Sequence, residues 1–186
     1  MASTYLSLHY HLVFPTKNRE PVIAPEWRSR LHEYLGGIIS GLGGHSQGVG
    51  GVGDHVHLLA GLKATHCLAD VLRELKKASS AWVHEEIGFR TFAWQEGYAA
   101  FTVSAPTRPA VQQYIANQEE HHRTRSSRDE LIDMLAKAGI EYDPRYFEES
   151  NAEGAGAATP AGVCAVQRCC FPVGANPTRQ LDHSSR

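Results

Sequence analysis

Between residues 4 and 104 the apolar positions recur first at intervals of two and then of about 3.6, in an order that few folds satisfy. Residues 4–14 (TYLSLHYHLVF) are rich in β-formers and stop at Pro15, as a strand would. Residues 25–42 open on Pro25-Glu26, carry Trp27, Leu31, Leu35 and Ile38 at helical spacing, and end in glycines. The stretch QGVGGVGDHVHLLAGL then reads as two short strands, 46–52 and 55–62, turning at Gly53-Asp54. A second long helix takes Thr65 as its cap and sets Leu68, Val71, Leu72, Leu75, Trp82 and Val83 on one face. It stops at Gly88. Residues 98–104 (YAAFTVS) supply a fourth strand. The order β-α-β-β-α-β predicts an α+β fold of the ferredoxin-like, split βαβ type: one antiparallel sheet backed by two helices. Two extra C-terminal helices follow. The first, 107–123, has Pro109 in its first turn; the second starts at Ser127, with Glu130 completing a capping box, and stops at Gly139.

Composition changes near residue 150. Residues 151–186 are rich in Gly, Ala and Pro, hold one Phe and neither Tyr nor Trp, and follow no period. Such a segment buries too little to offset its chain entropy, so 1–150 is expected to be the folded domain and 151–186 a disordered tail. The 186 residues carry 18 Lys+Arg against 20 Asp+Glu, a net charge of −2, which excludes a protein that coats duplex DNA through bulk charge. A local basic groove is still allowed. No run approaches the ~18 apolar residues of a membrane span, and MASTYLSLHYHLVF lacks the basic start and apolar stretch of a secretion signal. A cytoplasmic location is expected, with no membrane partner. Cys67, Cys164, Cys169 and Cys170 form neither a disulfide frame nor a zinc-finger spacing.

His55-Val56-His57 is the sharpest local feature. Strand alternation points both imidazoles to one face and Val56 to the other, so the pair suits a divalent metal. Two polar side chains satisfied on a half-exposed sheet would carry the same pattern. Tyr114 and Gln118 lie four residues apart on a predicted helix and so share a face. Alone they fit an amphipathic helix with Tyr114 half-buried beside Val111 and Ile115; read with the histidines they offer a nucleophile and a further ligand. The doublet His121-His122 follows within a turn and stays outside this ligand set. Tyr98 is read as aromatic packing on a sheet, and Tyr5, Tyr10, Tyr34, Tyr142 and Tyr146 have no ligand-type side chain one turn away. Candidate DNA contacts are Lys17 and Arg19 after the first strand, Arg73, Lys76 and Lys77 on the long helix, and Arg123 and Arg125 after the tyrosine.

Four blocks occur in a telling order: HLVFPTKNR at 11–19, GDHVHLL at 53–59, FAWQEGYAAFTVS at 92–104 and YIANQEEHH at 114–122. Together they resemble the single-tyrosine HUH transposases of the insertion-sequence 200/605 type, over residues 4–147 including GIEYDPRYF at 139–147. The resemblance implies an HUH endonuclease fold in which His55, His57 and Gln118 hold Mg²⁺ or Mn²⁺. It also implies that Tyr114 attacks a phosphodiester of single-stranded DNA, leaving a 5′-phosphotyrosine and a free 3′-hydroxyl. Hairpin-ended DNA and a homodimer are the implied partners. Because ligand histidines must be neutral, activity is expected to fade below about pH 6.5.

Two other function classes fit parts of the pattern. One is a catalytically inactive or domesticated binder of single-strand or hairpin DNA acting on palindromic repeats; the intact His-x-His and Tyr-x-x-x-Gln set argues against it. The other is a metal hydrolase, which needs a carboxylate base in the site. Asp54 adjoins the pair but is expected to point away from it by strand alternation.

Overall fold

The computed structural model describes residues 3–123 and 126–143. Its first six elements are strand β1 (His9–Pro15), helix α1 (Pro25–Gly41), strands β2 (His45–Gly51) and β3 (His55–Gly61), helix α2 (Leu68–Trp82) and strand β4 (Ala99–Thr102). Helices α3 (Arg108–Ala116), α4 (Gln118–His121) and α5 (Ser127–Lys137) follow. The four strands form one antiparallel sheet in the order β2-β3-β1-β4, the ferredoxin-like arrangement the sequence predicts.

Alternation sorts the sheet into two faces. Leu12 and Phe14 of β1 and Val56, Leu58 and Ala60 of β3 meet Leu31, Leu35 and Ile39 of α1 and Val71, Leu72 and Leu75 of α2 in the main core. The other face is thinner. Leu59 packs there with Val103 and with Ile115 of α3, leaving His11, His55 and His57 under the helices that follow β4. Ser79 fixes the segment before β4 by accepting from Trp94 Nε1 at 2.8 Å while its own hydroxyl donates to Leu75 O at 2.6 Å. Among the described residues no helix is long and apolar enough to cross a membrane.

Local details depart from the sequence reading. β1 starts at His9 rather than residue 4, and α2 starts after Cys67, whose side chain makes no cap; Thr65 is not the cap. Beyond Trp82 the helix loosens into one π turn, Val83–Ile87, and stops at Gly88, whose φ of 78° is the left-handed stop expected of glycine. The predicted helix 107–123 is two helices: Asn117, at φ −101° and ψ 21°, separates α3 from α4. The cap of α5 is Ser126, whose hydroxyl accepts from Asp129 N at 3.1 Å, so no box forms between Ser127 and Glu130. The expected tail, Arg125, Tyr146, Cys164, Cys169 and Cys170 lie outside the described residues.

Candidate active site

The site grows from the thin face of the sheet. Val56 enters the core, so His55 and His57 project the other way and are 2% and 0% exposed. Gly50 is the β2 partner of His57. A Cβ there would stand 2.1 Å from the Ile115 carbonyl oxygen, so α3 reaches the sheet only because position 50 has no side chain. Tyr114 precedes Ile115 and stands edge-on to His57, ring centroids 5.8 Å apart at 90°. After the break at Asn117 the chain places Gln118, 1% exposed, and His122 beside the histidine pair.

Helix α5 closes this cluster with Glu130, 6% exposed. Its Oε1 accepts from the Tyr114 hydroxyl and, at 3.1 Å, from Gln118 Nε2. Its Oε2 lies 3.0 Å from His122 Nε2, 3.5 Å from His55 Nε2 and 3.4 Å from His57 Nε2. The last two contacts have ion-pair distance without hydrogen-bond geometry, and both nitrogens are buried with no hydrogen-bond partner. One ligand atom from each of His55, His57, His122 and Glu130 falls within 4.8 Å of all the others. Two orphaned imidazole nitrogens facing a buried carboxylate fit a divalent cation.

A second layer orients the pair. His55 Nδ1 donates to Asp54 Oδ1 at 2.7 Å, which leaves Nε2 free to serve as a ligand atom; Ser127 Oγ donates to Asp54 Oδ2 at 2.6 Å. His57 Nδ1 meets His11 Nε2 at 2.9 Å. Asp54 therefore does not point away from the pair. It sits in the bend before β3, where strand alternation does not apply. Asn18 and Arg19 both hold φ of 56°, a conformation costly for non-glycine residues, and the turn sends Arg19 inward to Ser127 Oγ at 3.5 Å.

The charged groups of the cluster set one another's protonation. Burial opposes a positive His55, but the hydrogen bond to Asp54 and the Glu130 carboxylate outweigh it and raise its pKa to about 9. Burial holds His57 down to about 4, aided by the charge on His55 and opposed by Glu130. Burial would raise Glu130 and Asp54, yet their histidine partners keep each at about 2. The ordinary imidazole value is about 6.5. The stability contributed by charged His55 is therefore complete below pH 6.5 and lost as pH rises through 9. A metal ion must displace that proton, so its affinity rises over the same interval. Metal-free protein is expected to melt at lower temperature as pH goes from 6.5 to 9, while the gap to metal-loaded protein widens; a constant gap would contradict this. The window sits above the pH 6.5 expected from an unperturbed pair. Asp54→Asn is expected to weaken metal binding about 10–100-fold by calorimetry.

The structure brings together Tyr114, His55, His57 and Gln118. The DNA-contact candidates are spread out. Lys17 is exposed beside the inward Arg19, and Arg123 is exposed and paired with Glu120 at 3.0 Å. Arg73, Lys76 and Lys77 lie on α2, across the sheet from the histidines; Arg73 pairs with Asp70, and Lys76 Nζ donates to the carbonyls of Gln95, Glu96 and Gly97. Sequence reasoning did not single out Glu130 or His11 as parts of the site. His122, four residues after Gln118, was the one signal in reach.

Residues 4–118 match the family model described as transposase, IS200-like. The ISDra2 transposase TnpA of Deinococcus radiodurans is 29% identical over 119 residues, which is 61% of this chain and 85% of that protein. A crystal structure of a candidate transposase from Deinococcus radiodurans superposes with TM-score 0.50 at 30% identity, covering 63% of this chain and 96% of that one. A REP-associated tyrosine transposase bound to a REP hairpin gives TM-score 0.49 at 14% identity, over 66% of this chain and 73% of the other. The family match covers well over half of the chain, including both histidines of the strand pair and the Tyr114–Gln118 turn, and so the chain belongs to the IS200-like transposase family.

Proposed function

We propose that this chain cuts and rejoins single-stranded DNA, with Tyr114 as the nucleophile and a divalent ion held at His55 and His57, beside Gln118, the third ligand position that the family resemblance implies. One observation carries the reading: the Tyr114 hydroxyl and the orphaned Nε2 atoms of His55 and His57 converge on the same Glu130 carboxylate. A divalent cation in that position supplies charge neutralisation and orientation at a scissile phosphate. The residues do the rest. The Tyr114 oxygen bonds to phosphorus, the phenolic proton departs, and the 3′-oxygen leaves and is protonated, giving a 5′-phosphotyrosine and a 3′-hydroxyl. The phosphoester energy is kept, so attack by another 3′-hydroxyl restores tyrosine and joins DNA without a nucleotide cofactor. Hairpin-ended DNA is the proposed substrate. A homodimer is the proposed assembly, in which the tyrosine helix serves either its own site or the partner subunit's.

The test mixes the protein with labelled single-stranded DNA and Mn²⁺ or Mg²⁺ and runs a denaturing gel. A slow, protease-sensitive adduct is expected, absent with chelator and reduced at least about 10³-fold in Tyr114→Phe. DNA that shifts on a native gel without any adduct would instead make the protein a binding module.

A further inference from the structure

Among the described residues, five buried side-chain nitrogens or oxygens have no hydrogen-bond partner, and two of them, Nε2 of His55 and of His57, face one point. The match to the family model ends at residue 118, so His122 and Glu130, which face them from the far side, lie beyond the matched stretch. We propose that His122 and Glu130 are inner ligands alongside His55 and His57. One chain then offers three imidazoles and a carboxylate, and the site takes Zn²⁺ or Co²⁺ ahead of Mn²⁺ and far ahead of Mg²⁺.

The inference rests on the reading that this site holds a divalent ion, and the donor set carries it further. Mg²⁺ is a hard cation that prefers oxygen ligands and gives up its waters reluctantly. Imidazole suits the later first-row ions, whose affinity for nitrogen sites climbs from Mn²⁺ through Co²⁺. Three of the four donors here are imidazoles and all four groups are largely withdrawn from water, with His122 the least buried at 10% side-chain exposure. Glu130 is divided between two tasks. Oε2 faces the three imidazoles, while Oε1 receives the Tyr114 hydroxyl and Gln118 Nε2, so the ligand also positions the nucleophile. Gln118 Oε1 is 3.0 Å from His122 Nε2. An Nε2 that holds the ion has no proton to give, so that contact yields on loading, and Gln118 supports the set by donating to Glu130 Oε1 rather than standing alone as the third ligand.

The experiment titrates the metal-free full chain with Zn²⁺, Co²⁺ and Mg²⁺ separately, without DNA, following heat and the visible Co²⁺ spectrum. H55A/H57A identifies the equivalent that belongs to this site among the other histidines. Wild type is expected to bind one such equivalent of Zn²⁺ or Co²⁺ at least about 100-fold more tightly than Mg²⁺. H122A and E130Q should each weaken Co²⁺ by at least about tenfold and alter its spectrum, whereas Q118A should weaken it less. Melting of the metal-free variants checks folding; if E130Q does not fold, E130D, with a shorter reach, must show the same loss. Co²⁺ binding within twofold of wild type in H122A and E130Q, with the loss confined to Q118A, would overturn the proposal. So would Mg²⁺ binding as tight as Zn²⁺. No DNA is present, so failure to form a covalent adduct leaves these titrations unaffected, and their failure leaves the adduct assay standing.

Discussion

Replacing His57 with alanine is expected to lower strand cleavage by on the order of 10³-fold while the chain still folds. His57 is fully buried on the central strand β3, flanked by β1 and β2, so its position is set by two ladders at once. Its Nδ1 is held by His11 and its Nε2 points at Glu130, which leaves one nitrogen for orientation and one for the proposed ion. The substitution removes one of the proposed ligands from the centre of the cluster. The cavity and the unpaired His11 should together cost about 1–3 kcal/mol, a loss a domain of this size survives. Adduct formation and calorimetric metal titration measure the two effects separately. Cleavage within tenfold of wild type would mean the chemistry lies elsewhere in the molecule.

Gly50→Ala should be nearly as damaging, though position 50 is no ligand. The added Cβ meets the Ile115 carbonyl oxygen at 2.1 Å and the Ile115 carbonyl carbon and Cγ2 at 3.0 Å. Most of that obstacle is backbone, so α3 must back away by about 1 Å to reach an ordinary contact, and Tyr114 moves with it. Overpacking of this kind costs about 1–3 kcal/mol. A displacement of about 1 Å at a reacting group can cost on the order of 10² in rate. The control lies two residues away on the same strand: a Cβ at Gly48 meets nothing within 4 Å, so Gly48→Ala should leave melting temperature and adduct formation near wild type. Equal behaviour of the two variants would show that the α3–β2 approach does not set the tyrosine.

The features legible in the sequence are those written in local periods. Alternation along the strand placed both histidines on one face and Val56 on the other, as the core shows. The change from helical to strand period ordered the sheet correctly. What escaped reading depends on contacts remote along the chain. Glu130 meets Gln118 across twelve positions and Tyr114 across sixteen, and no period announces such a meeting. Ser126 and Ser127 are both suitable caps. Ser126 takes that role while Ser127 turns to Asp54, seventy-three positions away, and Glu130 is drawn into the histidines instead of into a capping box. Asp54 was judged by a strand rule one residue before the strand begins. The glycine-heavy run ahead of the histidines has a steric reason at Gly50, visible only once α3 lies across it.

Mapping the residue that carries DNA tests the central claim most directly. The protein is incubated with single-stranded DNA and Mn²⁺, digested, and the nucleotide-bearing peptide is fragmented in a mass spectrometer. The account predicts a phosphodiester-linked nucleotide on Tyr114 and on no other tyrosine. A nucleotide on Tyr98, which lies beside Lys76 of α2 rather than beside the histidine pair, would contradict it, as would cleaved DNA with no linked peptide at all.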